Sequence, residues 1–260
     1  MSLLILVFTL LGLFVGSFLN VCIDRLPKGQ SIIHPRSHCA TCNRKISNLD
    51  NIPIFSYLWL RGRCRYCHAP IPIRLPIVEG ITGLLFALLL VYWKFGLGLE
   101  LGISLVYASL LIVIFVIDLE NQLVLDKVIY PGMALALAFS FFWPGLEGIG
   151  ALPGEALGRV VSSLAGGAIG MAAMALPFII YRRGMGMGDV KLGALVGLMS
   201  GYPLVAIALL LAVITGGLVA AILLVFKIKK RSDPIPFAPF LATSAMVTLL
   251  WGQAIWQWYL

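Results

Sequence analysis

The stretch that decides the fold is "LLILVFTLLGLFVGSFLNVCIDR", residues 3–25, which carries no charged side chain before Asp24. The hydrocarbon core of a bilayer is about 30 Å thick and is crossed by about 20 apolar residues in a helix. This run is long enough, and it lacks both the basic start and the small-residue cleavage site of a secretory signal. It therefore predicts a retained first transmembrane helix.

Comparable apolar runs recur along the chain. Of its 260 residues, 60% are hydrophobic and 12% are charged, a balance outside that of ordinary soluble domains. Six more long runs and one shorter run begin near these positions: Pro76, Leu99, Val128, Val160, Pro203, Phe237 and, for the shorter run that ends at Ser200, Val190. We therefore expect an all-α polytopic membrane protein with about eight transmembrane helices.

The basic residues indicate how the chain is oriented. If residues 23–75 face the cytoplasm and the chain crosses alternately, all 19 lysines and arginines except Lys94 and Arg159 fall on the cytoplasmic side, as the positive-inside rule predicts. We expect a first transmembrane helix at 1–22, a cytoplasmic domain at 23–75 and a transmembrane core at 76–260. The same dispersal explains the net charge of +8 without a nucleic-acid partner.

The hydrophilic segment contains two Cys-x-x-Cys pairs, Cys39/Cys42 and Cys64/Cys67. Each pair can direct two thiolates at one ion, so two pairs at this separation are typical of a zinc knuckle. A loop of this size has little core of its own, and a metal would stabilise it. Four cysteines would fill the coordination sphere, which indicates a structural zinc rather than a catalytic one.

Other roles for these cysteines remain open. Local disulfides are disfavoured by a cytoplasmic location, and a redox dithiol is disfavoured by the presence of two symmetric pairs. His34, His38 and His68 could each replace a cysteine ligand. Cys22 lies within the first apolar run and is expected to be a buried small hydrophobe.

Two aspartates occupy the ends of apolar segments on the predicted cytoplasmic side. Asp118 follows an apolar run in "FVIDLENQLVLDKVIYPG", residues 115–132, and Asp189 follows three alternating glycines in "GMGMGD", residues 184–189. Acidic residues at the ends of spanning helices are functional candidates, and two that meet at one depth could form an aspartyl dyad. The alternative is that both aspartates merely terminate helices at the interface.

The glycines before Asp189 have a possible role of their own. Gly186 and Gly188 would allow an extended substrate backbone to approach Asp189, because they have no side chain in the way. Farther along, Gly193, Gly197 and Gly201 place small residues on one helical face, which permits very close packing in a bilayer. Gly166 and Gly170 show the same spacing.

Several motifs together identify a family resemblance. In order along the chain they are "GSFLNVCIDRLP" at 16–27, the two Cys-x-x-Cys pairs, "IRLPIVEGITG" at 73–83, "IDLENQLVLD" at 117–126 and "GMGMGDVKL" at 184–192. This series resembles the bacterial type IV prepilin peptidases over nearly the whole chain. The Gly-x-Gly-Asp element is also similar to that of presenilin-type intramembrane aspartyl proteases, which lack the cysteine loop.

The resemblance implies a multi-pass enzyme of the bacterial inner membrane that removes the basic leader of type IV prepilins or type II secretion pseudopilins, cutting after a glycine on the cytoplasmic side. It implies that Asp118 and Asp189 are the catalytic residues. It also implies N-methylation of the new N-terminal residue with S-adenosylmethionine. For that cofactor the candidate positions are Arg25, Arg74 and Glu79, which could otherwise serve as interfacial anchors or ion-pair partners.

A basic leader would be repelled by a basic cytoplasmic face. We therefore expect Glu120 and Asp126 to receive the leader, with anionic membrane lipid as the alternative, and we include Lys191 with Gly186 and Gly188 among the candidate substrate contacts. Three other functions compete with this one: a peptidase without methyltransferase activity, a proton-coupled transporter and a zinc-loop scaffold without chemistry.

Overall fold

The computed structural model describes residues 1–143, 156–180, 186–228 and 235–259. Within these ranges the regular structure is helical and no strand forms, which confirms the predicted all-α class; two isolated bridges occur in the cysteine loop. Five of the basic residues that the sequence analysis places on the cytoplasmic side lie outside the described residues: Arg182, Arg183, Lys229, Lys230 and Arg231.

The described residues contain nine α-helices and one short 3-10 turn. The helices are α1 (Ser2–Arg25), α2 (Phe55–Trp59), α3 (Arg74–Tyr92), α4 (Leu99–Asn121), α5 (Asp126–Ser140), α6 (Ala156–Ile180), α7 (Met187–Ser200), α8 (Leu204–Val225) and α9 (Ala238–Tyr259), and the 3-10 turn covers Asn48–Asn51.

Six helices are long and apolar enough to cross a membrane: α1, α3, α4, α6, α8 and α9. The remaining two predicted segments form α5, with 15 residues, and α7, with 14. At 1.5 Å per residue these helices are about 21–23 Å long, which is less than the thickness of the hydrocarbon core. Six candidate spans support the expected polytopic membrane architecture, whereas the expected count of eight is supported by length for six only.

Contacts between residues divide the chain into two compact units, residues 1–113 and residues 114–260, and the division falls within α4. This grouping follows spatial contacts, whereas the predicted boundaries after residues 22 and 75 follow hydropathy. Those boundaries therefore stay a prediction.

In the first unit, α1 and α3 pack with their backbones in contact. A Cβ atom added to Gly12 would lie 2.7 Å from the Cα of Gly83, and one added to Gly16 would lie 2.7 Å from the Cα of Glu79. No real side chain fits at such distances, so the small residues allow this close packing. The same two helices are joined by a hydrogen bond in which the side-chain amide of Asn20 in α1 donates to the backbone carbonyl of Leu75 in α3 at 3.0 Å.

In the second unit, the short helix α7 packs against α5, α6, α8 and α9. Every residue from Leu192 to Ser200 is buried. A helix that is apolar all round and surrounded by protein belongs to the interior. Its neighbours, rather than lipid, cover α7, which explains why it is shorter than a typical span.

The predicted glycine face of α7 lies directly against α6. Added Cβ atoms at Gly193 and Gly197 would collide with the backbone of Gly170 and Gly166 respectively. The hydroxyl of Ser163 donates to the carbonyl of Leu198 at 2.7 Å and fixes the relative register of the two helices. This packing holds α7, and therefore Asp189 in its first turn, in a defined position.

Candidate active site and cysteine cluster

Asp118 lies in the last turn of α4, where the apolar run ends. It is 5% exposed, and the backbone N–H of Ala238, the first residue of α9, lies within hydrogen-bonding range of its carboxylate. Its Oδ2 atom is buried and has no hydrogen-bond partner among the described residues. Buried polar atoms nearly always have partners, so this oxygen is a natural place for a water molecule or a substrate group to bind.

Asp189 is the third residue of α7 and is half-buried. The N–H of Gly186, the residue that caps α7, donates to its Oδ2 atom at 3.4 Å, and the N–H of Asp189 donates back to the carbonyl of Gly186 at 3.1 Å. A carboxylate at this position also interacts favourably with the helix dipole. The first turn of α7 therefore orients this side chain.

Asp118 and Asp189 both lie in the second unit, and the charge of Asp189 acts on the Asp118 carboxyl group. Two carboxylates that share a site cannot both ionise readily, so one of them retains a proton. Such a pair provides a base and an acid in the same place. Asp118 and Asp189 are therefore a candidate aspartyl dyad.

The two glycines before Asp189 differ in their surroundings. A Cβ atom on Gly188 would lie 2.6 Å from the Cβ of Val124, in the segment between α4 and α5. Gly188 is therefore needed for packing, whether or not a substrate also approaches it. Around Gly186 the nearest described heavy atom to an added Cβ lies at 3.8 Å, so this position is open.

Two further candidate substrate contacts form an ion pair. The Nζ atom of Lys191 lies 2.6 Å from Oδ1 of Asp126 and 5.2 Å from the ring centre of Tyr130. Half of the Asp126 side chain remains exposed, and Glu120 is exposed at the end of α4. Sequence reasoning selected Lys191 and Asp126 separately but did not predict that they pair, because they belong to distant motifs.

The four cysteines of the loop converge in the first unit. The sulfur atoms of Cys39, Cys42, Cys64 and Cys67 all lie within 4.8 Å of one another, and those of Cys39 and Cys67 are 3.7 Å apart. A tetrahedral zinc with Zn–S bonds of about 2.3 Å separates its sulfurs by about 3.8 Å. The cluster therefore fits a zinc ion, and no disulfide links these thiols.

The two halves of the cluster have the same local shape. Asn43 and His68 each follow the second cysteine of a pair and adopt φ angles of 55° and 56°. Their N–H groups donate to the carbonyls of Cys39 and Cys64 at 2.9 and 3.0 Å respectively. Each turn is thus closed by the same hydrogen bond, which aims both sulfurs of a pair toward one point.

Backbone hydrogen bonds also prepare one sulfur for metal binding. The N–H groups of Cys42 and Thr41 donate to the Cys39 sulfur and lower the pKa of this thiol to about 6, and the thiolate is the form that binds metals. Among the described residues the metal-binding group consists of the cysteines alone. His38 instead lies 3.2 Å from the carbonyl of Arg36.

The candidate cofactor residues all lie in the first unit. Arg74 pairs with Asp24 at 2.7 Å, and Arg25 donates to the carbonyl of Ser31 at 3.0 Å. Glu79 is buried, and its Oε2 atom accepts the N–H of Ile54 at 2.8 Å. These contacts connect the cysteine loop to α1 and α3.

Sequence reasoning missed three residues that shape these sites: Asn20, Val124 and Ala238. A buried amide in an apolar helix was a usable signal for Asn20, because polar groups within a membrane segment are costly. Val124 and Ala238 act through packing and a backbone N–H, for which the residue type gives no signal.

Two family models and several curated proteins are similar to this chain. Residues 10–95 match the bacterial peptidase A24 N-terminal domain, and residues 105–221 match the type IV leader peptidase family. A prepilin leader peptidase/N-methyltransferase of Aeromonas hydrophila is 35% identical over 275 residues, covering 96% of this chain and 92% of that protein. Its namesake in Bacillus subtilis (strain 168) is 34% identical over 250 residues, covering 96% and 95%.

No solved structure matches the chain. The two matched families cover most of its length in the expected order, and the relatives span both units. Their names combine a peptidase with a methyltransferase, which does not favour a peptidase alone, a transporter or a scaffold. The chain therefore belongs to the type IV leader peptidase family.

Proposed function

We propose that this chain is an aspartyl endopeptidase that removes the basic leader of type IV prepilins or type II secretion pseudopilins after a glycine, and then N-methylates the new N-terminal residue. The observation that supports the peptidase activity is the action of the Asp189 charge, at the start of α7, on the buried Asp118 carboxyl group at the end of α4. Membership of the family and the names of the relatives support both activities.

Hydrolysis at this site uses the two aspartates in different protonation states. The ionised aspartate removes a proton from a water molecule, whose oxygen attacks the scissile carbonyl carbon, while the protonated aspartate donates to the carbonyl oxygen. The tetrahedral intermediate then collapses, the C–N bond breaks and the leaving amine takes up a proton. No covalent bond between enzyme and substrate is needed.

The cysteine cluster binds a zinc ion that stabilises the loop. Four thiolates leave no open coordination position, so the metal holds the loop together and takes no part in hydrolysis. When bound, S-adenosylmethionine would supply the electrophilic methyl group for the new N-terminal amine. Arg25, Arg74 and Glu79 are the residues proposed to contact it.

We place the cysteine loop and the aspartates at the cytoplasmic face of the inner membrane, with α5 and α7 completing eight crossings. The distribution of basic residues supports this orientation. Cysteines introduced at Lys94 and Lys45 test it: a membrane-impermeant maleimide should label Lys94→Cys but not Lys45→Cys in intact spheroplasts. Labelling of Lys45→Cys but not of Lys94→Cys would show that the orientation is the opposite of the one proposed.

The dyad is tested by mass spectrometry of a prepilin incubated with the full-length protein in detergent. Positioned acid–base groups contribute about 100- to 10,000-fold to a reaction rate, so Asp118→Asn and Asp189→Asn should each lower cleavage by at least about 100-fold. Glu100→Gln, at the opposite end of α4, is the matched control and should cleave normally. Normal cleavage by either aspartate variant would refute the dyad.

A further inference from the structure

The first unit contains a cavity of about 310 Å³ between α1, α3 and the cysteine loop, with Asn20, Tyr57 and Glu79 in its lining. We propose that this cavity binds S-adenosylmethionine, with Glu79 beside the sulfonium and Asn20 accepting a hydrogen bond from the ligand. The proposal rests on the methyltransferase activity proposed above. The volume lies at the lower end of the roughly 300–1,000 Å³ typical of small-molecule sites.

Asn20 provides the first argument. Its side chain is 3% exposed, and its amide nitrogen is held by the carbonyl of Leu75 at 3.0 Å. Its Oδ1 atom is buried and has no hydrogen-bond partner among the described residues. An unsatisfied buried acceptor costs about 1–3 kcal/mol, and a ligand with N–H or O–H groups, such as an adenine or a ribose, would satisfy it.

Glu79 provides the second argument. The other two acids in the lining are each paired with an arginine: Asp24 with Arg74 and Asp50 with Arg65. Glu79 accepts hydrogen bonds from Ile54 and Ser17, and no lysine or arginine in the described ranges pairs with it. A buried carboxylate is strongly favoured by an adjacent positive charge, which a sulfonium provides.

The remaining lining matches the rest of such a ligand. Arg25 and Lys28 lie in the lining as well, so the cavity offers cations for a carboxylate in addition to an acid for a sulfonium. Arg74 does not line the cavity and acts through its ion pair with the lining residue Asp24. Tyr57, Leu75 and Pro76 add apolar and aromatic surface suited to a flat base. A purely anionic ligand, such as a lipid phosphate, would leave Glu79 without a counter-charge.

The test measures ligand affinity by calorimetry on the full-length protein in detergent, with S-adenosylmethionine and with S-adenosylhomocysteine, whose sulfur is neutral. Loss of one charged partner worth about 1.4 kcal/mol is a tenfold change. Glu79→Gln should therefore weaken S-adenosylmethionine about tenfold and leave S-adenosylhomocysteine nearly unchanged. Asn20→Leu should weaken both ligands about tenfold.

Two more variants keep the test independent of folding at the buried positions. Ser56 is a half-buried residue of α2 that lines the cavity, so Ser56→Trp should fill the cavity and abolish binding of both ligands. Glu100→Gln neutralises an acid of the same unit that does not line the cavity, and both affinities should remain unchanged. Equal weakening of both ligands by Glu79→Gln would refute the sulfonium contact.

The outcomes also separate this proposal from the proposed function. If the unmodified protein binds and uses S-adenosylmethionine while the cavity variants bind it normally, the cavity assignment is wrong and the methyltransferase activity stands. A cavity that instead holds the amine of the cleaved pilin would show a raised KM for the pilin with unchanged ligand affinity. If the unmodified protein neither binds S-adenosylmethionine nor methylates a cleaved pilin, the methyltransferase function itself fails.

Discussion

Gly188 is a single residue that links the packing of a loop to the position of a carboxylate. Adding one methyl group in Gly188→Ala places a Cβ atom 2.6 Å from the Cβ of Val124, so either the segment between α4 and α5 or the start of α7 must move. Displacements of about 1 Å near a reacting group can cost about 100-fold in rate. We expect Gly188→Ala to lower prepilin cleavage by at least tenfold, as judged by mass spectrometry.

A compensating substitution distinguishes packing from substrate contact at Gly188. In the double variant Gly188→Ala/Val124→Gly the colliding Cβ atom is absent, so cleavage should recover most of its original rate. A substrate that needs open space at Gly188 would still collide with the new methyl group. Failure of the double variant to recover would therefore favour the substrate role over the packing role.

Asp126 and Glu120 are the two acids expected to receive the basic leader. Asp126 forms an ion pair with Lys191, yet about half of its side chain stays exposed. Glu120 is exposed at the end of α4. If they receive the basic leader, Glu120→Gln/Asp126→Asn should make cleavage insensitive to leader charge. Exposed pairs are worth about 0.2–1 kcal/mol each, so the rate on an unmodified leader should fall only a few-fold.

The measurement is the cleavage rate on a series of prepilins in which successive Lys or Arg residues of the leader are replaced by Gln. Glu100→Gln is the control enzyme. Unchanged sensitivity to leader charge in the double variant would exclude these acids and leave anionic lipid as the receptor. Vesicles with and without anionic lipid would then show whether membrane charge has that role.

At the scale of elements, the α6–α7 contact determines where the second aspartate lies. Gly197→Ala would direct a methyl group into the backbone of Gly166 and to 2.9 Å from the Cα of Gly167. Overpacking of this kind costs about 1–3 kcal/mol, so we expect a lower thermal unfolding midpoint in detergent and reduced cleavage. Gly217→Ala in α8 is the control, because no described atom lies within 4 Å of its added Cβ.

An unfolding midpoint for Gly197→Ala equal to that of Gly217→Ala would contradict this close packing. Alanine also favours helix over glycine by about 1 kcal/mol, so Gly217→Ala should be neutral or slightly stabilising. The comparison thus separates the effect of propensity, which both variants share, from the collision that only Gly197→Ala introduces.

The sequence predicted some features of these helices and not others. Hydropathy located the six long helices and the shorter α5 and α7, and the spacing of Gly193 and Gly197 indicated the close face of α7. The short length of α7 was predicted, whereas that of α5 could not be deduced, because burial by neighbouring helices replaces burial by lipid and leaves the same apolar signal. The Lys191–Asp126 pair and the Val124 contact depend on how distant segments meet, which no local pattern encodes.

At the scale of the molecule, the candidate residues of the two activities fall into different units. Asp118 and Asp189 lie in residues 114–260, whereas the cysteine cluster and the cavity lined by Asn20 and Glu79 lie in residues 1–113. The chemistry of hydrolysis thus uses side chains of one unit only. Loss of the metal should therefore affect the two activities unequally.

The last prediction follows from this division. In Cys64→Ser/Cys67→Ser the cluster loses two ligands, and a loop with little core loses a metal whose binding is worth about 10–16 kcal/mol in zinc-dependent peptides. Because the loop forms one wall of the cavity, zinc content, S-adenosylmethionine binding and methylation should all be lost, while leader cleavage continues. Elemental analysis and mass spectrometry of the pilin product measure these quantities.

Cys22→Ala is the matched control for the metal prediction, because Cys22 is buried in α1 and is not part of the cluster. It should keep its zinc and both activities. If cleavage by Cys64→Ser/Cys67→Ser fell in parallel with methylation, the aspartates would depend on the loop. The assignment of the two activities to separate units would then be wrong. If methylation survived without zinc, the loop would keep its shape without the metal, and the structural role assigned to the ion would be wrong instead.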